Sequence, residues 1–173
     1  RSDEERLEFF GRYEQVILET AGIPVSIDLA QRVWKMAMSV PKDFVPFDDT
    51  VPALKQLREG GYKVGVITNL RRDLAELCQR VGLLTYLDFM VGSEEAGMEK
   101  PHPRIFIAAL KRVGAAPEEV VHVGDQIRSD VMGAQGVGMQ AVLIDRSGYG
   151  PDAVDCPKIA SLSELGQLLE GLG

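Results

Sequence analysis

Four short β-rich runs recur along the chain after about residue 60, each separated from the next by helix-length sequence. That alternation limits the fold more than any other feature. The runs lie near 62–68, 88–92, 119–124 and 139–145. Strands and helices alternating at this spacing make βαβ units. The expected class is therefore α/β: a Rossmann-like, mostly parallel sheet with helices on both faces. Asp49 or Thr50 is expected to cap a helix through Glu59, which Gly60-Gly61 ends. Further helices are expected from about Arg72 to Val81, from Pro103 to Val113 and from Ser129 to about Gln135. Ile105, Phe106, Ala109, Leu110 and Val113 should face inward. Ser161 or Ser163 should cap a last helix carrying Leu165, Leu168 and Leu169.

The first part of the chain holds no strand signal. Ser2 with Glu5 has the form of a capping box. Leu7, Phe10, Val16, Ile17 and Ala21 approximate one apolar stripe, stopped by Gly22. Ser26 can cap a second helix with Leu29, Ala30, Val33, Trp34 and Ala37 along one face. Trp34, Met36 and Met38 are expected to pack between these helices. The segment Pro41 to Phe47 marks a boundary between a helical part, 1–46, and an α/β part, 47–173.

The 173 residues carry a net charge of −7 and no Lys/Arg-rich block, which argues against nucleic acid as the main partner. The longest uncharged strand-like run, Val64 to Leu70, is far short of the roughly 18 residues that cross a bilayer. Cys78 and Cys156 make no disulfide framework, and a reducing cytoplasm is the expected setting. The sequence opens at Arg1 in charged helix, with no apolar leader. That start is read as a cut end.

In open parallel sheets, ligands sit beyond the carboxyl ends of the strands. The first run ends in Thr68-Asn69. The third ends in Gly124-Asp125, with Asp130 five residues on. Lys100 lies between them in Gly97-Met-Glu-Lys100-Pro101-His-Pro103. A hydroxyl, an ammonium and two carboxylates thus converge on one rim. This suits a phosphate held by Thr and Lys beside a Mg²⁺ held by carboxylates. Each residue alone also has a plain reading. Thr68 and Asn69 can be turn and N-cap residues, Lys100 a surface lysine, Asp125 a cap and Asp130 a first-turn acid. His122 reads as a packing residue within a strand, and His102 as a turn residue.

The combination resembles the haloacid dehalogenase superfamily, in its phosphatase-like branch with a helical cap. Val66-Ile67-Thr68-Asn69 looks like the second motif of that family, and Lys100-Pro101-His102-Pro103-Arg104-Ile105-Phe106 like the third. Gly124-Asp125 with Asp130 is similar to the fourth. The resemblance implies phosphate binding by Thr68, Asn69 and Lys100, Mg²⁺ held by Asp125 and Asp130, and catalytic roles for Lys100 and Asp125. It implies a small phosphorylated or activated ester as substrate, and makes the first two helices a cap remnant. The departure is the first motif, an Asp-x-Asp on a central strand whose first Asp is the nucleophile and whose second is acid and base. No Asp-x-Asp occurs here. The first, central strand is thus expected to be absent. Run 62–68 must then pair directly with 119–124, or a segment must come from another copy. A homodimer or domain-swapped oligomer is expected.

Three functions are compatible with these residues. One is Mg²⁺-dependent phosphoester hydrolysis in the complete family form. Another is a fragment that hydrolyses through metal-bound water. The third is a non-catalytic, oligomer-forming or binding module.

Overall fold

The computed structural model describes residues 3–40, 44–70, 73–151 and 153–171, and the chain divides into two units, 1–44 and 45–173. In the first unit, α1 (Asp3–Thr20) and α2 (Ile27–Ser39) pack against each other. Gly22 ends α1 with a positive φ of 81°, a conformation that costs glycine nothing. Ser26 caps α2 by accepting from the Leu29 N–H. Ala30 is fully buried, and the Phe10 and Trp34 rings stack with centroids 5.2 Å apart.

The expected stripe on α1 is only partly right, since Val16 and Ile17 are exposed. The buried position on that helix is Gly11, where a side chain would collide with Gln31. Met36 and Met38 are exposed rather than packed between the helices. The capping box at Ser2 and Glu5 lies partly outside the described residues, because Ser2 is not among them.

The second unit opens with α3 (Thr50–Glu59) and continues through β1 (Gly65–Thr68), α4 (Leu74–Arg80), β2 (Phe89–Gly92), α5 (Ser93–Ala96) and α6 (Pro103–Val113). Then come β3 (Val121–Gly124), α7 (Met132–Gln135), β4 (Gln140–Ile144), β5 (Lys158–Ile159) and α8 (Leu165–Glu170). All strand pairs are parallel: β1 with β2, β3 with β4, and β4 with β5. Alternation along β4 creates the layers. Ala141 and Leu143 join the core of Ile105, Phe106, Ala109 and Leu110 from α6. Val142 points the other way, to Leu57 of α3 and Leu165 of α8. Helices therefore cover both faces of an α/β sheet, as the alternating pattern predicts.

Three details differ. A π-turn at Ile127–Val131 takes the place of the first half of the helix expected from Ser129, and α7 starts only at Met132. The two-residue strand β5, next to Pro157, has too little sequence to show a period. Finally, β1 does not pair with β3. Among the described residues the sheet lies in two pieces, one of β1 and β2 and one of β3, β4 and β5. Of the two expected ways to close the sheet, direct pairing does not occur within one chain.

Asp49 sits at the N-cap position of α3 but makes no cap bond. Its carboxylate instead accepts both arms of Arg146, at 2.8 and 3.0 Å, the Ser161 hydroxyl and the Leu162 N–H. Arg146 also lies 4.0 Å over the Phe47 ring. One carboxylate thereby ties the start of α3 to the loop after β4 and to the turn before α8. The Arg146 hydrogen bonds hold its carboxyl well down, at about 2.

Candidate functional site

The loop between α5 and α6 is pinned to the end of β1 by one side chain. Asn69 Oδ1 accepts from the Lys100 N–H at 2.6 Å, and Asn69 Nδ2 donates to the Lys100 carbonyl at 3.1 Å. The Ser93 hydroxyl donates to the Asn69 carbonyl, so the start of α5 holds the same turn. His102 caps α6, its Nδ1 accepting from the Arg104 N–H. This is the turn role expected of it.

These contacts deliver the Lys100 side chain to the gap between β1 and β3. Its ammonium donates to the Ile67 carbonyl at 3.1 Å and to Asp130 Oδ1 at 2.6 Å. The side chains are only 14% and 4% exposed, so this ion pair is screened little by water. Of the three N–H bonds of the ammonium, these two acceptors use two. Thr68 Oγ1 accepts from the Leu70 N–H, which leaves its own O–H to donate.

Asp130 is buried and densely bonded. Its Oδ1 receives Lys100 and lies 3.2 Å from His122 Nε2, while Oδ2 accepts the Gln126 N–H at 3.0 Å. Burial alone would push its carboxyl up. The bonds from His122 and Lys100, with the Lys100 charge, outweigh burial and hold it below the usual carboxylate range. An ionised carboxylate accepts only, so His122 carries its proton on Nε2. Gly124 makes this arrangement possible: a Cβ there would sit on the Asp130 side chain.

The structure thus brings Asn69, Lys100 and Asp130 into one hydrogen-bonded group at the strand ends. Asp125 is exposed at the tip of β3 and stands outside it. Among the described residues no three His, Cys, Asp or Glu side chains converge as a metal cage. Mg²⁺ commonly takes one or two carboxylates plus waters and substrate oxygens. Asp125 fits that use, whereas Asp130 keeps at most one lone-pair direction on Oδ2. Beside Lys100 opens a cleft of about 640 Å³ lined by Ser93, Met98, Lys100 and His102.

Residue-type reasoning missed the link from His122 to Asp130. The signal was the pattern Val121-His122-Val123, in which His122 faces opposite to its two apolar neighbours. Val121 and Val123 pack on the α3 and α8 side, while His122 meets Phe106 of α6 edge-on at 5.3 Å.

The model of haloacid dehalogenase-like hydrolases matches residues 3–138. A glyceraldehyde 3-phosphate phosphatase of Methanopyrus kandleri is 45% identical over 105 residues, covering 60% of this chain and 45% of that protein. The haloacid dehalogenase-like hydrolase domain-containing protein 3 of Mus musculus is 35% identical over 171 residues, covering 92% of this chain and 66% of that protein. The chain spans roughly half to two thirds of the length of the curated relatives it matches. The crystal structure of a HAD phosphatase from Thermococcus onnurineus superposes with a TM-score of 0.72 at 27% identity, over 94% of this chain and 89% of that one. With its motif residues gathered at the strand ends of a matching fold, the chain belongs to the haloacid dehalogenase-like hydrolases.

Proposed function

We propose that the protein is a phosphatase-type hydrolase of small phosphorylated substrates, and that these residues form the phosphoryl-binding half of its site. The observation that carries this reading is the Lys100 ammonium. It is held at the carboxyl end of parallel strands with two N–H bonds committed and the third left for an anion. The phosphatase named among the relatives supports the class. In this reading the Thr68 hydroxyl donates to a phosphoryl oxygen, and Asn69 places Lys100 while keeping its second amide N–H for the same group. Lys100 neutralises charge that develops on the phosphoryl oxygens. Asp125 holds Mg²⁺, and Asp130 orients the group through Lys100. Bound there, Mg²⁺ supplies further neutralisation of phosphoryl charge. The aspartyl nucleophile of the family mechanism is not among the 173 residues.

Residues 1–46 are, in the same proposal, a remnant of a helical cap. The two free cysteines and acidic charge fit a cytoplasmic protein.

The test is turnover of an activated phosphoester by this chain with and without Mg²⁺, beside Lys100→Ala and Asp125→Ala. The expected result is no turnover above the Lys100→Ala control, with orthophosphate binding retained. Turnover that falls on chelation and in Asp125→Ala would instead establish hydrolysis by metal-bound water.

A second reading concerns partners, and the split sheet favours it. Neither β1 nor β3 has a second strand neighbour among the described residues. Unpaired edges template association. We propose that copies of the chain associate through these edges as a homodimer or domain-swapped oligomer.

A further inference from the structure

We propose that His122 is a positioning residue for phosphate binding, acting on Lys100 through Asp130. The inference rests on the reading of Lys100 as a phosphoryl ligand. His122 lies in the middle of β3, 9% exposed, with its ring edge-on to Phe106. A buried imidazole needs a partner for its N–H, and the choice of partner is what carries the inference. This one reaches Asp130 Oδ1 at 3.2 Å, and that oxygen is the same one that takes the Lys100 ammonium at 2.6 Å.

The consequence is geometric. A carboxylate rotates about its last side-chain torsion with a broad, roughly two-fold preference. The Gln126 N–H fixes Oδ2, and the His122 Nε2–H fixes Oδ1, the oxygen that also takes the ammonium. With both oxygens fixed, Asp130 and the Ile67 carbonyl define two of the three directions of the ammonium, and hence aim the third. Remove the His122 donor, and Oδ1 can follow Lys100. The ion pair then closes on itself and the third N–H loses its direction. His122 touches no substrate in this account; it sets where Lys100 points.

The experiment titrates the full chain with inorganic phosphate, in the absence of metal, and compares His122→Leu, His122→Gln and Phe106→Leu. Gln places an amide N–H near the position of Nε2. Loss of one hydrogen bond that aims a charged ligand corresponds to a drop in affinity of about fivefold to tenfold. His122→Leu should show that drop, and His122→Gln should return affinity to within about twofold of the parent chain. Phe106→Leu should lower thermal stability while leaving affinity within about twofold, because it removes ring packing and no donor.

Unchanged affinity in His122→Leu overturns the inference, as does equal loss in both His122 variants or in Phe106→Leu. A folded parent chain that binds no phosphate overturns the reading of Lys100 and this inference with it. If His122→Leu does not fold, long-range ¹H–¹⁵N spectra of the parent chain decide. The proton should sit on Nε2, and phosphate should shift both ring nitrogens; an unprotonated Nε2 or an unmoved ring contradicts the proposal.

Discussion

The Lys100 ammonium lies 2.6 Å from Asp130 Oδ1, in a pair whose two side chains are almost fully buried. The pair joins the loop before α6 to the turn after β3, and so bridges two pieces of the sheet that no backbone ladder joins among the described residues. Removing one partner leaves the other as an uncompensated buried charge, at a cost of about 3–5 kcal/mol in comparable pairs. Because Lys100 keeps some exposure, Lys100→Met is expected to cost about 2–4 kcal/mol in urea unfolding. It should also abolish orthophosphate binding. A stability loss under about 1 kcal/mol would show that the pair bears no weight in the fold.

Gly124→Ala tests the approach of Asp130 to β3. A methyl group there would occupy the place of the Asp130 side chain. Overpacking of this kind costs about 1–3 kcal/mol. The variant should lose phosphate affinity along with stability, since displaced Asp130 no longer holds Lys100. Loss of stability with unchanged affinity would separate Asp130 from the function of Lys100.

Acid should weaken the second unit at a defined place. The Asp49 carboxyl sits at about 2 in the folded chain against an ordinary value of 3.8, chiefly through its bonds to Arg146. A depressed carboxyl contributes stability that is complete above its unfolded value and is lost as pH falls through its folded one. The loss should run between about pH 4 and pH 2, with a size on the order of 1–2 kcal/mol after allowance for partial solvent screening. Asp130 is shifted in the same direction and adds to the effect. Asp49→Asn should remove much of the pH dependence in that window. An unaltered slope would mean that Arg146 and Ser161 gain nothing from the charge on Asp49.

The open edges of β1 and β3 predict association. Sedimentation at micromolar concentration should show a dimer or larger species. A single monomeric species would contradict the proposed strand-edge contact.

Much of the fold was legible because periodicity is local. The run Ile105, Phe106, Ala109, Leu110 reads as a helix face and is the face that α6 buries. The run 139–145 likewise reads as a strand, although its unbroken apolar stretch shows no period and the structure alone divides it between two cores. What sequence could not show was long-range pairing of polar groups. Asp49 has every mark of a helix cap, yet the partners that claim it lie about a hundred residues away, at Arg146, Ser161 and Leu162. His122 looks like a core residue by composition, and its Nε2 contact appears only once the turn after β3 carries Asp130 back beneath it. Asn69 was expected on the phosphate, and its amide is spent first on the Lys100 main chain.

The central claim is that the rim formed by Thr68, Asn69 and Lys100 holds a phosphoryl group. Its most direct test is an orthophosphate titration of the full chain followed by ¹H–¹⁵N NMR. The account predicts saturable shifts at the amides around Thr68, Asn69 and Lys100 and in the Asp130 and His122 group bonded to Lys100, and their loss in Lys100→Met. Shifts that do not saturate, that arise elsewhere, or that persist in Lys100→Met would contradict it.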